Sequence, residues 1–419
     1  PARHPNLDLN DPVQGGWLWA KPLPDGGNLL QQLAYDPADF PSDGQPTAGQ
    51  KVTVFNANNW SNNVLTIASV DPTKHIITFA KPATYYFGPG SRYFVSGSSA
   101  FLDQPGEWYF DQATKVLYFR PPTGFDGHDV VVAGALDLIN ISDANNIAIK
   151  GLSFADIGSK ASDESAISTA AVAIHNSSGV VVEACDFKYV SQGVRITGTS
   201  NNNTVASNDF SNLWGPAASI GRGTSHNFIT NNSIKNSGEV FAGSAAIQLE
   251  NTYGNTIAKN DIRDVPRAGI AVTHSDAGVK SGGNVIEDNS VVDSGRMTDH
   301  SGAIYAVSFV EKATLSNTIS GNTIVNTGGL STADSGFVSE QRASAGIYLE
   351  GVSSGSKIFG NTIKGTALAG IFLLGSDNND VHDNVVSVDS SVVGKASAVS
   401  VVPVGSEGGS GNDINNNSI

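Results

Sequence analysis

From about residue 200 to the last residue the chain repeats one pattern of polar and apolar positions, Asn-x-Ile/Val-x-x-Asn-x-Ile/Val. The copies read NTVASNDF, NFITNNSI, NTIAKNDI, NVIEDNSV, NTISGNTI, SKIFGNTI, DVHDNVV and NDINNNSI. Their second Asn falls at Asn208, Asn232, Asn260, Asn289, Asn322, Asn361, Asn384 and Asn417, so neighbouring copies lie 24, 28, 29, 33, 39, 23 and 33 residues apart. A second motif follows each first one by roughly ten residues: QGVRI, AAIQLE, AGIAVTH, GAIYAVS, AGIYLE and AGIFLL. Two short alternating strands per repeat, parted by Gly, Ser and Asn turns, cannot bury an apolar face alone and must stack on their neighbours. The shortest interval predicts one coil of a right-handed parallel β-helix, a solenoid, and the longer intervals predict loop insertions.

In such a coil Ile and Val at alternate positions point inward, and the recurring Asn forms a side-chain ladder at one turn. Two earlier copies, NIAIKGLSF and VVVEACDF, place Leu152 and Cys185 in the Asn column, which makes Cys185 a small buried residue and not a reactive thiol. Residues 1–135 break the pattern and carry most of the aromatic residues. Runs such as KVTVFNANNW, VLTIASV and HIITFA alternate like antiparallel strands. The expected organisation is all-β: an accessory sandwich or barrel module over 1–135, then the β-helix over 136–419.

Composition narrows the chemistry. With 46 Gly, 8% aromatic and 15% charged residues, the chain has material for a thin continuous core. A net charge of −15 and the lack of any Lys/Arg cluster exclude nucleic acid and disfavour strongly anionic polymers unless a cation bridges them. A single Cys permits no internal disulfide, which with the Gly- and Asn-rich composition is the pattern of a secreted or cell-surface bacterial protein. No run approaches the length of a transmembrane segment, and no signal segment opens the chain at Pro1.

Four stretches carry a family resemblance: ARHPN at Ala2–Asn6, FLDQPGEWYFDQATKVLYFRPP at Phe101–Pro122, DHSGAIYAV and AGIYLEGVSSGS. With them the chain resembles the secreted right-handed β-helix glycoside hydrolases of families 120 and 141 and their uncharacterised relatives. The resemblance implies a β-sandwich module that holds the LD-x-PGEWY-x-D hairpin, and a central coil that holds an Asp-Gly-Gly-Ala-Ile-Tyr segment. Here that segment reads Asp299-His300-Ser301-Gly302-Ala303-Ile304-Tyr305, which sets bulk beside the carboxylate.

Aligning the second motif of each coil sorts side chains by direction. Ile247, Ile270, Ile304, Ile347 and Ile371 point in; Gln248, Ala271, Tyr305, Tyr348 and Phe372 point out, as do Glu250, Thr273, Val307, Glu350 and Leu374 two residues later. Tyr305, Tyr348 and Phe372 would then form an exposed aromatic column on which sugar rings stack, unless insertions such as 325–345 fold over it. Carboxylates gather near this face at Glu250, Asp276, Asp299, Glu340 and Glu350, with His274, His300 and Arg342 as further substrate-binding candidates. Glycoside hydrolysis needs a pair of carboxyl groups. Glu250 and Glu350 lie three coils apart, so the expected pair is Asp299 with Glu350.

The expected function is hydrolysis of a polysaccharide or oligosaccharide. A polysaccharide lyase using Arg296, His300, Tyr305 and Arg342, a non-catalytic carbohydrate binder, and a structural fibre, surface-layer or adhesin protein are the alternatives. The hydrolase reading requires no cofactor and leaves room for a structural calcium ion. Because the chain stops at NDINNNSI without a capping segment, it is expected either to continue in a longer polypeptide or to associate end to end.

Overall fold

A computed structural model of the protein describes residues 1–127, 130–133, 137–158, 169–311, 313–334, 336–338, 343–351, 353–387, 397–404 and 408–419. Among the described residues there is no α-helix, and none long and apolar enough to cross a membrane. The chain divides into two compact units. One comprises Pro1–Val132 with Ser162–Ala166 and Ser331–Val338; the other comprises Ala133–Ala161, Ile167–Leu330 and Ser339–Ile419.

The first unit is built on an antiparallel sheet that rolls back on itself. Lys51–Phe55 pairs with Asn62–Asp71 on one side and Arg92–Ser96 on the other. Asn62–Asp71 leads through Ile76–Phe79 to Gln32–Ala34, with a bulge between Ile67 and Ser69 that bends the strand. The far edge of Arg92–Ser96 takes Arg3–His4 and Leu18–Trp19, and a bridge from Lys21 to Ala34 closes the circuit into a small barrel. Alternate residues Val52, Val54, Leu65, Ile67, Ile77, Phe79, Tyr93 and Val95 fill its core. Arg92 is wholly buried with its guanidinium 3.8 Å from the Phe55 ring centroid, and loss of solvent brings its pKa down to about 9. The LDQPGEWYFD segment supplies the first strand of a separate hairpin, Trp108–Asp111 against Val116–Phe119.

The second unit is a parallel β-helix with three sheets. The first sheet stacks ten strands from Ile139–Ser142 to Ser397–Val402, the second ten from Ala148–Lys150 to Asp413–Asn415, and the third nine from Ser153–Ile157 to Val385–Ser387. Each coil therefore has three strands where the sequence pattern suggested two. The Asn-x-Ile-x-x-Asn-x-Ile motif bends before its second Asn, so that Ile257 lies in the second sheet and Ile262 in the third. The bend is made by a residue of left-handed conformation directly before that Asn: Ser207, Asn231, Lys259, Asp288, Gly321, Gly360, Asp383 and Asn416 have φ from 51° to 65°. Most of these carry a side chain, at a cost of roughly 1 kcal/mol each.

The ladder offsets that cost. The backbone N–H and Nδ2 of Asn260 both donate to Asn289 Oδ1, at 3.0 and 2.9 Å, while Asn260 Nδ2 also donates to the Ile229 carbonyl of the preceding coil. The same contacts run from Asn208 to Asn417. Leu152, exposed, stands in the column one coil before Cys185, and the hydrogen-bonded run starts at Cys185, buried, its N–H donating to Asn208 Oδ1. A second ladder, which the sequence reading did not assign, joins Asn203, Asn227, Asn255, Asn284 and Asn317 at the other end of the second sheet. Inside, Ile and Val columns form one continuous core, with Phe154, Phe187 and Phe210 stacked at 4.8 and 4.6 Å.

Candidate functional site

The register of the first sheet matches the sequence alignment. Ile247, Ile270, Ile304, Ile347 and Ile371 are partners in successive strands and are buried in the main core. On the outer face, Gln248, Ala271, Tyr305, Tyr348 and Phe372 form one column, and Glu250, Thr273, Val307, Glu350 and Leu374 the next. Two strands here, Gly302–Ser308 and Ala345–Gly351, run to seven residues. Only glycine fits at Gly302, since a Cβ on it would lie 2.6 Å from the Ile304 carbonyl oxygen and 3.0 Å from the backbone N and Cβ of Tyr348.

The exposed aromatic column needs correcting. Tyr305 and Tyr348 are 7% and 1% exposed, and Phe372 is half-buried. Their rings meet edge to face, at 5.4 Å between Tyr305 and Tyr348 and 4.9 Å between Tyr348 and Phe372. Ala245, Ala268, Ala271, Val307, Ala345 and Ala369 close around them as a second apolar cluster outside the coil. An outward-pointing side chain is thus outside the solenoid core without being in water, and the two Tyr ring faces are not a platform for sugar stacking.

What the column presents is a polar constellation. The Tyr305 hydroxyl donates to the half-buried Glu350 carboxylate, and the Arg267 guanidinium lies 5.6 Å from the Tyr305 ring centroid. Burial, and then the Glu350 charge, hold the Tyr305 phenol well above its ordinary range, with Arg267 pulling the other way. The Tyr348 phenol is raised by burial and then by the charges of Glu350 and Asp299. Asp299, 1% exposed, accepts from Ala343 N–H at 2.7 Å and Ser344 Oγ at 3.4 Å. His300 follows in left-handed conformation, φ 50°, a position that favours glycine; its exposed ring has Nδ1 3.8 Å from Asp299.

Other expected residues fall apart from this group. Glu250 is exposed and three strands from Glu350, about 14 Å at the usual strand spacing. His274 is buried, with Nδ1 3.2 Å from Ser308 Oγ and Nε2 3.2 Å from the Asp276 carbonyl; with both nitrogens engaged it braces a turn, which corrects its assignment to substrate binding. Asp276 instead pairs with Arg222 at 2.6 Å, and Arg296 with Asp264 at 3.4 Å. Arg342 and Glu340 lie outside the described residues. Arg267 was missed by the sequence reading; its only signal was a cation one residue before the AGIAVTH motif. Among the described residues no three His, Cys, Asp or Glu side chains are grouped to hold a metal ion.

Residues 137–324 match the family described as "Right handed beta helix region". No curated protein matches the sequence. Among solved structures, a glycoside hydrolase superposes on 95% of this chain and 76% of its own with a TM-score of 0.59 at 13% identity. A tailspike protein mutant of E. coli bacteriophage HK620 in complex with a hexasaccharide covers 64% of this chain and 47% of its own, TM-score 0.43, 16% identity. DFA-IIIase from Arthrobacter chlorophenolicus A6 covers 68% and 70%, TM-score 0.42, 16% identity. The family match and the first likeness establish the fold as a right-handed parallel β-helix.

Proposed function

We propose that the protein is a secreted or cell-surface enzyme that hydrolyses glycosidic bonds of a neutral or weakly charged polysaccharide on the outer face of the first sheet. The observation that carries this reading is Glu350: a half-buried carboxylate, held by a buried phenol, on the outer face of the first sheet, whose outward columns do not repeat as the Asn ladder does. Asp299 is its partner. The charges of both carboxylates raise the Tyr348 phenol, which supports reading them as a pair. Hydrolysis divides the work between two such groups, one protonating the leaving oxygen and the other activating water or attacking the sugar. Glu350, receiving the Tyr305 O–H, is suited to the charged role.

The net charge of −15 favours a neutral polymer over a polyuronate. One observation favours a second reading: Arg267 beside Tyr305 supplies the cation and phenol that β-elimination of a uronate uses. A screen against plant, algal and bacterial polysaccharides, following both new reducing ends and the ultraviolet absorbance of unsaturated products, separates the two. On a polymer the parent cleaves by hydrolysis, Asp299→Asn and Glu350→Gln should each lose about 10²–10⁴-fold in kcat. Full activity in both variants would overturn the assignment.

A further inference from the structure

We propose that the first unit carries a separate, non-catalytic binding site for a neutral glycan chain, formed by Trp60, Tyr85 and Tyr86 with Leu29 and Leu30. Seven aromatic residues of this unit, Tyr35, Phe40, Phe55, Phe79, Phe87, Tyr93 and Phe101, are buried, while Trp108, Phe110 and Tyr118 are exposed on the separate hairpin. Tyr85 and Tyr86 instead stand 41% and 45% exposed, and Leu29 and Leu30 41% each. Three loops bring them together. Phe87 N–H donates to the Leu29 carbonyl at 2.8 Å, Ala83 N–H to Leu30 at 2.7 Å, and Ala57 N–H to Tyr86 at 3.0 Å. Trp60 then meets Tyr85 edge to face at 5.6 Å.

The patch is fixed before any ligand arrives. Asn56, 1% exposed, accepts from Trp60 N–H and Ser61 N–H at 2.9 Å each and so pins the loop that carries Trp60. Phe87, directly after Tyr86, is anchored in the core against Phe79 at 5.6 Å. Rigid aromatic side chains lose little entropy on binding.

Size and charge select the occupant. Aromatic side chains bury roughly 150–250 Å² each, so two tyrosines and two leucines about two-fifths exposed, with the partly buried Trp60 beside them, offer on the order of 300 Å². A stable protein partner needs about 800 Å² on each side. A few sugar rings need no more than the patch provides. None of the five side chains is charged, while Tyr hydroxyls and ring faces together suit sugar hydroxyls and C–H faces, so the ligand is a neutral glycan and neither a polyanion nor a second copy of the chain.

Affinity electrophoresis tests this without turnover, using the Glu350→Gln protein in gels containing arabinoxylan, galactomannan, xyloglucan or polygalacturonate. At least one neutral polymer should retard it and polygalacturonate should not. Adding Trp60→Ala and Tyr86→Ala should weaken that retardation at least tenfold with the thermal midpoint unchanged, while Tyr86→Phe keeps most of it. Failure of every neutral polymer to retard the protein, equal retardation of the patch variant, or self-association abolished by the patch substitutions would each overturn the proposal. Because no cleavage is measured, failure of the hydrolase reading leaves this result unaffected.

Discussion

The second sheet's turn and the first sheet's outer face are built by the same coil-on-coil register, yet they treat it in opposite ways. At the turn the register repeats one residue, and every Asn from Asn208 to Asn384 finds a partner above and below. On the outer face the register brings Gln248, Ala271, Tyr305, Tyr348 and Phe372 into one column, no two consecutive steps being alike except the tyrosines. Repetition satisfies backbone groups that a solenoid must satisfy in every coil. Departure from it marks a place where the fold no longer dictates the residue, and there a carboxylate, two phenols and a guanidinium gather.

The sharpest way to break this comparison is at the ladder. Asn289→Ala removes the acceptor of Asn260 N–H and Nδ2 and the donor to the Ile257 and Glu287 carbonyls, all deep in the turn. Buried groups left without partners cost about 1–3 kcal/mol each, so urea unfolding should show a loss of about 3–5 kcal/mol. A loss below about 1 kcal/mol would mean that backbone pairing alone holds the coils.

On the outer face the expected effect is on activity. Tyr305→Phe removes the hydrogen bond to Glu350, worth about 1.5–3 kcal/mol, so kcat should fall about 10- to 100-fold and urea stability at neutral pH should fall by up to about that amount. The same variant reads out in alkali. The Tyr305 phenol keeps its proton in the folded state well above its ordinary range while the unfolded chain gives it up near pH 10, so its contribution to stability is complete below about pH 10 and declines above it. Tyr305→Phe should therefore flatten the decline in stability above about pH 10, and an unchanged slope would argue against the buried phenol.

Two smaller effects sharpen the boundary between the regions. Cys185→Asn extends the ladder by one rung toward Asn208 and should leave stability within about 1 kcal/mol of the parent, whereas the native thiol should resist a thiol reagent until the chain unfolds. His300→Gly relieves a left-handed position and should stabilise by about 0.5–1 kcal/mol. Destabilisation by the glycine would show that the His300 ring supports its neighbour Asp299.

Much of the fold could be read before any coordinates. The inward Ile column and the Asn column are spaced by the repeat itself, and both run as the spacing indicates. The third strand of each coil was hidden because Lys259 and Asp288 make the bend without a Gly or Pro to announce it. The site was legible only in part. Alternation gives the direction in which Tyr305 and Tyr348 point, but their burial depends on Ala268, Ala345 and Ala369, small residues whose closeness no periodicity reveals. His274 resembled a surface turn residue, and its engagement by Ser308 depends on the neighbouring coil, 34 positions away. Arg267 belongs to no repeated column, so pattern reasoning had no means of linking it to Tyr305.

The central claim is that glycan binds on the outer face of the first sheet, where the register does not repeat one residue. The direct measurement is a crystal structure of the Glu350→Gln protein soaked with an oligosaccharide released from the polymer the parent cleaves. Sugar density on the outer face of the first sheet, with a glycosidic oxygen within about 3.5 Å of the residue 350 side chain or of Asp299, is the predicted result. Density confined to another face of the solenoid, with residues 299 and 350 untouched, would contradict it.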